Sequence, residues 1–589
     1  MKRYRETWVV KNRPGNVSAL MREFGISDVC ARILWNRGYE TKEAVADFLY
    51  GSGSAVSLPK LPNEDAFHAA CEDALNEGGR FRVIGDYDVD GVTATYLMVA
   101  ALRLLGAEVD YRIPDRVADG YGISEEMVRN AAADGIRTII TVDNGIAAVA
   151  QITLARELGL RVLVTDHHEP QAELPCADVI VDPKLVEGAE RQDALCGAVV
   201  AGILADRLLA NSGRSGFAAS MMEVMALATV CDVMPLTGVA RDIVRRGLAK
   251  PRDMWNPGLR TLAEANRLDV VSRCYHFGFV IGPCINALGR LETADYGVEL
   301  LLATDPEAMR TCAFRMVEVN ETRKEQTKHC TELAIAEAER MLNDDPDTSV
   351  LIICLPECHE SIAGIVAGKV REQFCRPSFI LTESAGGSGD WKGSGRSTES
   401  FSMFEAMMDC KDLFKKFGGH AMAAGLTIAK ENIEAFRNSM EESFRRQGAT
   451  TVNKVKIDLV MPFRYITTAL VEELAGLEPF GTGNPKPVFA QKNVEIRSMR
   501  YIGKTGNFLS LKLRDAEGTE MSAVYFGDAK EFAAELAKAY GSEAEDELLA
   551  GRRSYTFDIC YYPDKNQYNG REYLQVQISY YHFPEKDAR

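Results

Sequence analysis

Three short apolar runs each end on a cluster of acidic or imidazole side chains, and this pairing constrains the fold more than any other feature of the chain. Phe81-Arg82-Val83-Ile84 leads into Gly85-Asp86-Tyr87-Asp88-Val89-Asp90-Gly91, Thr138-Ile139-Ile140-Thr141-Val142 into Asp143-Asn144-Gly145, and Val162-Leu163-Val164-Thr165 into Asp166-His167-His168. A helix-like stretch follows each run, which predicts parallel strands of an α/β sheet. Ligands of such sheets bind at the carboxyl ends of the strands. Five aspartates and two histidines are therefore expected on one rim. Carboxylate together with neutral imidazole is the donor set for a divalent pair, Mn2+ or Mg2+, rather than a thiolate-bound ion.

The first cluster carries the strongest local argument. Asp88 and Asp90 alternate in an extended loop and so face the same side, with Gly85 and Gly91 allowing tight turns around them. Asp86, Asp88 and Asp90 place three like charges in five residues, and these repel unless a cation lies among them. Asp143, on a neighbouring strand, is positioned to bridge two ions. His167 and His168 are two of only eight histidines in the chain; one is expected on metal and the other against a phosphoryl oxygen. Asp232, in Thr229-Val230-Cys231-Asp232-Val233-Met234-Pro235, is a further ligand candidate.

At 589 residues the chain predicts several cores. Residues 1–75 form an N-terminal segment, and 76–250 alternate strand and helix signals in the βαβ manner. Strands are expected at 81–85, 107–113, 137–142, 161–165 and 178–181, and helices at 91–105, 124–134, 146–158, 195–211 and 219–230. Residues 251–345 form a linker region whose 305–342 stretch reads as one long connector helix, N-capped by Asp305 with Pro306 behind it. A second α/β segment spans 346–450. In 451–589 the alternations Leu509, Leu511, Leu513 and Leu574, Val576, Ile578 predict half-buried strands of a small OB-type β-barrel.

Composition excludes little. The formal net charge of −17 argues against a protein that coats nucleic acid. It leaves a nucleic-acid enzyme open, because a metal site needs acid and a basic groove is local. No apolar stretch is long enough to span a bilayer, and the charged start Met1-Lys2-Arg3 shows no secretory signal, so a cytoplasmic location is expected. The 14 cysteines lack metal-site spacing and read as free thiols.

Asp-Tyr-Asp-Val-Asp-Gly at 86–91, Val-Asp-Asn-Gly at 142–145, Asp-His-His at 166–168 and Cys-Asp-Val-Met-Pro-Leu at 231–236 resemble, in this order, the motifs of the DHH phosphoesterase superfamily. Longer strings resemble its RecJ family of single-strand-specific 5′→3′ DNA exonucleases. These are Ile113-Pro114-Asp115-Arg116 with Gly120-Tyr121-Gly122, Gly282 to Arg290, Lys416 to Gly425, and Glu478 to Pro485. The resemblance implies a parallel-sheet DHH domain, a DHHA1 domain and an OB-type barrel, with two Mn2+ or Mg2+ ions.

By the same resemblance Asp88 and Asp90 serve one ion each, Asp143 bridges, and His167 and Asp232 complete the second ion. Asp86 and Asp166 are expected as ligands or supports, and His168, Asn286 and Arg290 as catalytic groups. Arg116, Ser394, Arg396 and His359, with Gly418, Gly419 and His420, are expected to hold the 5′ phosphate and backbone. Cys358 stands where the family commonly has an aromatic residue, which puts base stacking there in question. The implied function is exonuclease action on single-stranded DNA in repair and recombination, by a monomer, with a single-stranded-DNA-binding protein and a helicase as partners and no membrane. Shorter phosphoesterases of the superfamily and its non-catalytic DNA-binding scaffolds are the rivals. The barrel and Arg116 distinguish the first, and the intact acidic motifs the second.

Overall fold

The computed structural model describes residues 6–584 apart from 52, 54, 55, 117, 118, 187, 189–193, 250–255, 385–388 and 569–570. The three acidic runs do end parallel strands. β1 (Phe81–Ile84), β2 (Val109–Arg112), β3 (Thr138–Val142), β4 (Arg161–Thr165) and β5 (Val179–Val181) form one sheet in the order β2-β1-β3-β4-β5, and every pairing in it is parallel. Every residue of β1 and β3 is buried, as a sheet covered on both faces requires.

The helices that cover it are α1 (Val89–Leu104), α2 (Glu125–Ala133), α3 (Val149–Glu157), α4 (Gly197–Asn211) and α5 (Met222–Cys231). α1 is apolar around its whole circumference because it lies between the sheet and helices α4 and α5. The helix expected at 219–230 is interrupted at Met221, giving a short turn at Phe217–Ser220 before α5.

After α6 (Gly282–Leu291), the connector is a single helix, α7 (Pro306–Asp344), of 39 residues or roughly 58 Å. Asp305 caps it by accepting from the Ala308 N–H at 2.8 Å. Its first half buries Met309, Ala313, Met316 and Val319 in the core of the first sheet. Its second half buries Cys330, Ala334, Ala338 and Leu342 in another core. That core belongs to the second sheet, built of β6 (Leu351–Cys354), β7 (Ser378–Glu383), β8 (Asp390–Arg396), β9 (Phe414–His420) and β10 (Ala423–Ala429), with α8 (Glu360–Phe374) between β6 and β7. Its order is β9-β10-β8-β7-β6, parallel only between β6 and β7.

Five strands, β11 (Phe489–Ile502), β12 (Phe508–Arg514), β13 (Glu520–Tyr525), β14 (Tyr555–Tyr568) and β15 (Arg571–His582), close into a barrel through the β11–β14 pairing. Leu509, Leu511 and Leu513 all point inward. The first 75 residues divide between two places. Helices Ser18–Phe24, Asp28–Asn36 and Lys42–Tyr50 share the core of the barrel, whereas Glu64–Asn76 joins the first sheet through Phe67, Cys71 and Ala74. All 14 cysteines are free. No helix of the described residues is long and apolar enough to cross a membrane.

Candidate active site

The loop after β1 is shaped by its own carboxylates. Asp88 caps α1, its Oδ1 accepting from the N–H groups of Asp90 at 2.9 Å and Gly91 at 3.1 Å. Asp90 faces the start of α4, where the N–H groups of Gly197 and Ala198 donate to its two oxygens at 2.6 and 2.8 Å. A helix N-terminus favours a carboxylate there. Gly197 must be glycine, because a β-carbon would stand 2.5 Å from the Asp143 β-carbon. Asp143 itself takes φ 61°, a left-handed conformation that aspartate tolerates. Val233, next to Asp232, takes φ 57°. For a β-branched residue this is strain of about 1–3 kcal/mol, held where it aims a carboxylate.

These elements bring three trios together, each with its ligand atoms within 4.8 Å of one another: Asp86, Asp88 and Asp143; Asp90, His167 and Asp232; and Asp143, His167 and His168. His167 Nε2 lies 3.1 Å from Asp143, 3.6 Å from Asp90 and 3.7 Å from Asp232. Asp88 and Asp90 thus fall into different trios, and Asp143 is shared by two. Asp86 sits among the ligand candidates. Asp166 does not: it accepts from the N–H groups of Ile146, His167 and His168 and from His168 Nδ1 at 2.8 Å, so it orients the histidine pair.

Burial raises the carboxyls of Asp86, Asp88, Asp143 and Asp232 above their ordinary range, and repulsion among the neighbouring aspartates adds to it. Burial also drives His167 down to about 4, which leaves a neutral imidazole. Burial opposes the charge on His168 too. There the hydrogen bond and charge of Asp166 prevail and hold it up at about 9. Asp86 Oδ1, Asp143 Oδ1 and both ring nitrogens of His167 are buried without a hydrogen-bond partner among the described residues. Such groups cost about 1–3 kcal/mol each when left unpaired. Oxygen and neutral imidazole donors converging in this way fit a pair of divalent cations.

Beside this centre lies a pocket of about 390 Å³ made by both sheets. Arg116 enters it from the first, stacked 3.9 Å over the Tyr87 ring, and Ser394 and Gly418 line it from the second. Other residues expected here do not line it. Arg396 lies over Gly364 of α8, where a β-carbon would meet its Nη2 at 2.8 Å, and it donates to its neighbour's carbonyl, Gly395 O. His359 is the N-cap of α8, accepting from the Ser361 N–H at 3.3 Å. Gly419 and His420 are exposed outside the lining. Cys358 is buried in the core shared with α7, so no base-stacking surface exists at that point.

Asn286 and Arg290 lie outside the metal trios. Asn286 Oδ1 accepts from the Val89 N–H at 3.2 Å and so braces the first loop. Arg290 donates to the Ser361 carbonyl across the two sheets, and burial lowers it to about 10. On the far side of the centre a groove of about 740 Å³ runs from Val233 and Asn286 past Arg273, Tyr275 and Phe279 to Lys486. The rings of Tyr275 and Phe279 stack at 5.3 Å and are both exposed.

Three residues with clear roles were not expected. The Tyr121 hydroxyl donates to the Asp143 carbonyl at 3.0 Å and lies 3.1 Å from His168 Nε2. Gly197 and Gly289 permit close approach, the latter to the Tyr87 carbonyl, which a β-carbon would meet at 2.5 Å. The sequence signals were Tyr121 between two glycines and Gly289 within the string from Gly282 to Arg290, both in stretches of family resemblance, and Gly197 near the start of an expected helix.

Comparison with known proteins agrees with this geometry. Family profiles match at residues 80–229 (DHH family, N-terminal domain), 347–446 (DHHA1 domain) and 457–580 (RecJ OB domain). The chain is 32% identical to the single-stranded-DNA-specific exonuclease RecJ of Bacillus subtilis (strain 168) over 568 residues, or 95% of this chain and 69% of that one. The crystal structure of RecJ from Thermus thermophilus in complex with Mn2+ matches with a TM-score of 0.82 at 28% identity, covering 99% of this chain and 80% of that one. Its complex with Mg2+ matches with a TM-score of 0.77 at 26% identity, covering 99% and 79%. With all three domains matched and the acidic trios in place, the chain belongs to the RecJ family of DHH phosphoesterases and is a metal-dependent nuclease.

Proposed function

We propose that this protein hydrolyses single-stranded DNA from its 5′ end, releasing 5′ mononucleotides, and that Asp86, Asp88, Asp90, Asp143, His167 and Asp232 hold its two divalent ions. The observation that carries the reading is the set of trios joined through Asp143 and His167, with a cationic pocket at Arg116 and an aromatic groove beside Val233 and Asn286. When bound, two Mn2+ or Mg2+ ions supply a water of lowered pKa and offset charge on the phosphoryl oxygens. The protein's own groups do the rest. His168, kept charged by Asp166, faces the rim of the centre and adds electrostatic stabilisation. Asn286 and Gly289 hold the first loop in register, and Arg290 ties the two sheets at a fixed separation.

Polarity follows from placement. Arg116 and Ser394 grip the terminal phosphate in the pocket, with Arg offering a planar fork to its oxygens. The strand then crosses the trios and leaves along the groove, where Tyr275 and Phe279 stack bases and Arg273 and Lys486 meet phosphates on the way to the barrel. The C-terminal barrel and the two-sided pocket separate this reading from the shorter phosphoesterases. DNA as substrate assigns its work to repair and recombination in the cytoplasm, alongside a helicase and a single-stranded-DNA-binding protein.

The test is Asp143→Ala, which should abolish hydrolysis while leaving single-strand binding largely intact; nuclease activity retained in that variant would refute the metal-centre assignment. Equal rates on 5′-phosphorylated and 5′-blocked strands would refute the role of Arg116.

A further inference from the structure

The pocket that Arg116 enters is larger and more cationic than one phosphate group needs. At about 390 Å³ it falls within the range that encloses a whole small ligand, about 300–1,000 Å³. Its floor is the sheet face of β8, β10 and β9, and the register resolves that floor into two cross-strand rows. Ser394 pairs with Gly425 and Gly425 with Gly418. Two residues along each strand, on the same face, Lys392 pairs with Thr427 and Thr427 with Lys416. All six residues line the pocket.

The first row is small, leaving room for an anion above the sheet face, and is the row already given to the terminal phosphate. The second row is cationic and lies roughly 7 Å further along the strands. Lys392 is part-neutralised by Glu360 at 2.8 Å. Lys416 is exposed and makes no ion pair among the described residues. A single terminal phosphate on the first row leaves this second anion subsite unused.

We infer that the second row, Lys392–Thr427–Lys416, receives the outer phosphates of a strand that begins with a 5′-triphosphate, so that such ends are substrates as well. This rests on the assignment of the pocket to the 5′ end. The chemistry is unchanged hydrolysis. Water adds to the phosphorus between the first and second nucleotides, the bond from that phosphorus to O3′ breaks, and O3′ leaves protonated. The first product is then a nucleoside 5′-triphosphate with its anhydride bonds intact, and the remaining strand carries a 5′-monophosphate.

The experiment uses the full chain with Mn2+ and one oligonucleotide sequence bearing a 5′-hydroxyl, a 5′-monophosphate or a 5′-triphosphate, with products separated by anion exchange. The triphosphate strand should be cut with a kcat/KM no lower than the monophosphate strand, and its first product should be the nucleoside triphosphate. Lys416→Ala should lower the triphosphate-to-monophosphate ratio of kcat/KM about tenfold, the scale of one charge-assisted contact, and Lys416→Arg should retain it. A triphosphate strand cut no faster than the hydroxyl strand, with the monophosphate strand still preferred, overturns this inference alone. So does an equal loss on all three strands in Lys416→Ala, which would place the lysine on an internal phosphate. Equal rates for all three strands with the unaltered protein would overturn the 5′-end assignment itself, and this inference with it.

Discussion

Gly197→Ala tests the metal centre without removing any ligand. The added β-carbon would lie 2.5 Å from the Asp143 β-carbon, 2.7 Å from its Oδ1 and 2.9 Å from its Cα. Carbon atoms pack best at about 3.5–4.0 Å, so the closest contact is short by at least about 1 Å. The start of α4 cannot recede freely, because Ala198, Val199 and Val200 are fully buried behind it. Overpacking of this kind costs about 1–3 kcal/mol. Either Asp143 or the first turn of α4 must give way, and that turn holds both oxygens of Asp90. Both routes disturb the ligand set, and losses of support at this remove cost about 10–100-fold in metal affinity. Isothermal titration with Mn2+ should show that loss, with hydrolysis falling in parallel. Gly368→Ala is the control. Its β-carbon would meet only Arg396 Cγ at 3.9 Å, so α8 should gain up to about 1 kcal/mol with Mn2+ affinity unchanged. Unaltered Mn2+ affinity and rate in Gly197→Ala would show that the packing of α4 on Asp143 does not shape the centre.

Asp166→Asn removes the charge that holds His168 near 9, so the alkaline limb of the pH–rate profile should move to lower pH; an unmoved limb would dissociate His168 from that titration. Phe279→Ala should weaken binding of single strands by about 1–3 kcal/mol, one stacked base, measured by fluorescence anisotropy, and unchanged binding would remove the groove from the strand's path. The metal-free protein should lose stability as pH rises from about 6.5 to about 8. At the lower end of that window the two histidines offset each other, since the unfolded chain is shedding both protons while folded His167 is neutral and folded His168 charged, whereas folded Asp86 and Asp232 keep protons that the unfolded chain has already shed. Mn2+ should therefore raise the melting temperature more at about pH 8 than at about pH 6, and a metal-free stability that is flat or rises with pH would contradict the buried carboxyl protons.

Strand ends were legible because two signals coincide there: an apolar run long enough for a covered strand, and charged residues that such a run cannot bury without a partner. Asp88, Asp90, Asp143 and His167 were singled out this way, and the structure brings them together. The connector helix was legible from its cap and from an unbroken run of helix-forming residues, and the barrel strands from their period of two. Contacts made between distant segments left no local trace. Nothing in Gly197 says that Asp143 will pack against it, and nothing in Arg396 says that Gly364 will draw its guanidinium onto a helix. For Asp166 the sequence left ligand and support both open. Its oxygens are taken up by the N–H groups of its own turn and by that of Ile146 in the loop after β3, which makes it a support.

The connector explains why the pocket that Arg116 enters can be shared between two sheets at all. The halves of α7 are anchored in different cores, and between Asn320 and Thr327 it has no buried residue. That stretch joins the two cores without burying a residue of its own, and a helix there transmits position because a sharp kink would disrupt its hydrogen-bond ladder. Arg290, donating to Ser361 from the other side, closes the frame at a second point. With two supports, one helical and one charge-assisted, Arg116 and the Ser394–Gly425–Gly418 row face each other at a separation set by the scaffold rather than by the DNA. On the proposed assignment of this pocket to the 5′ end, selectivity for the strand end comes from preorganisation, which spares the bound complex the cost of ordering the two halves.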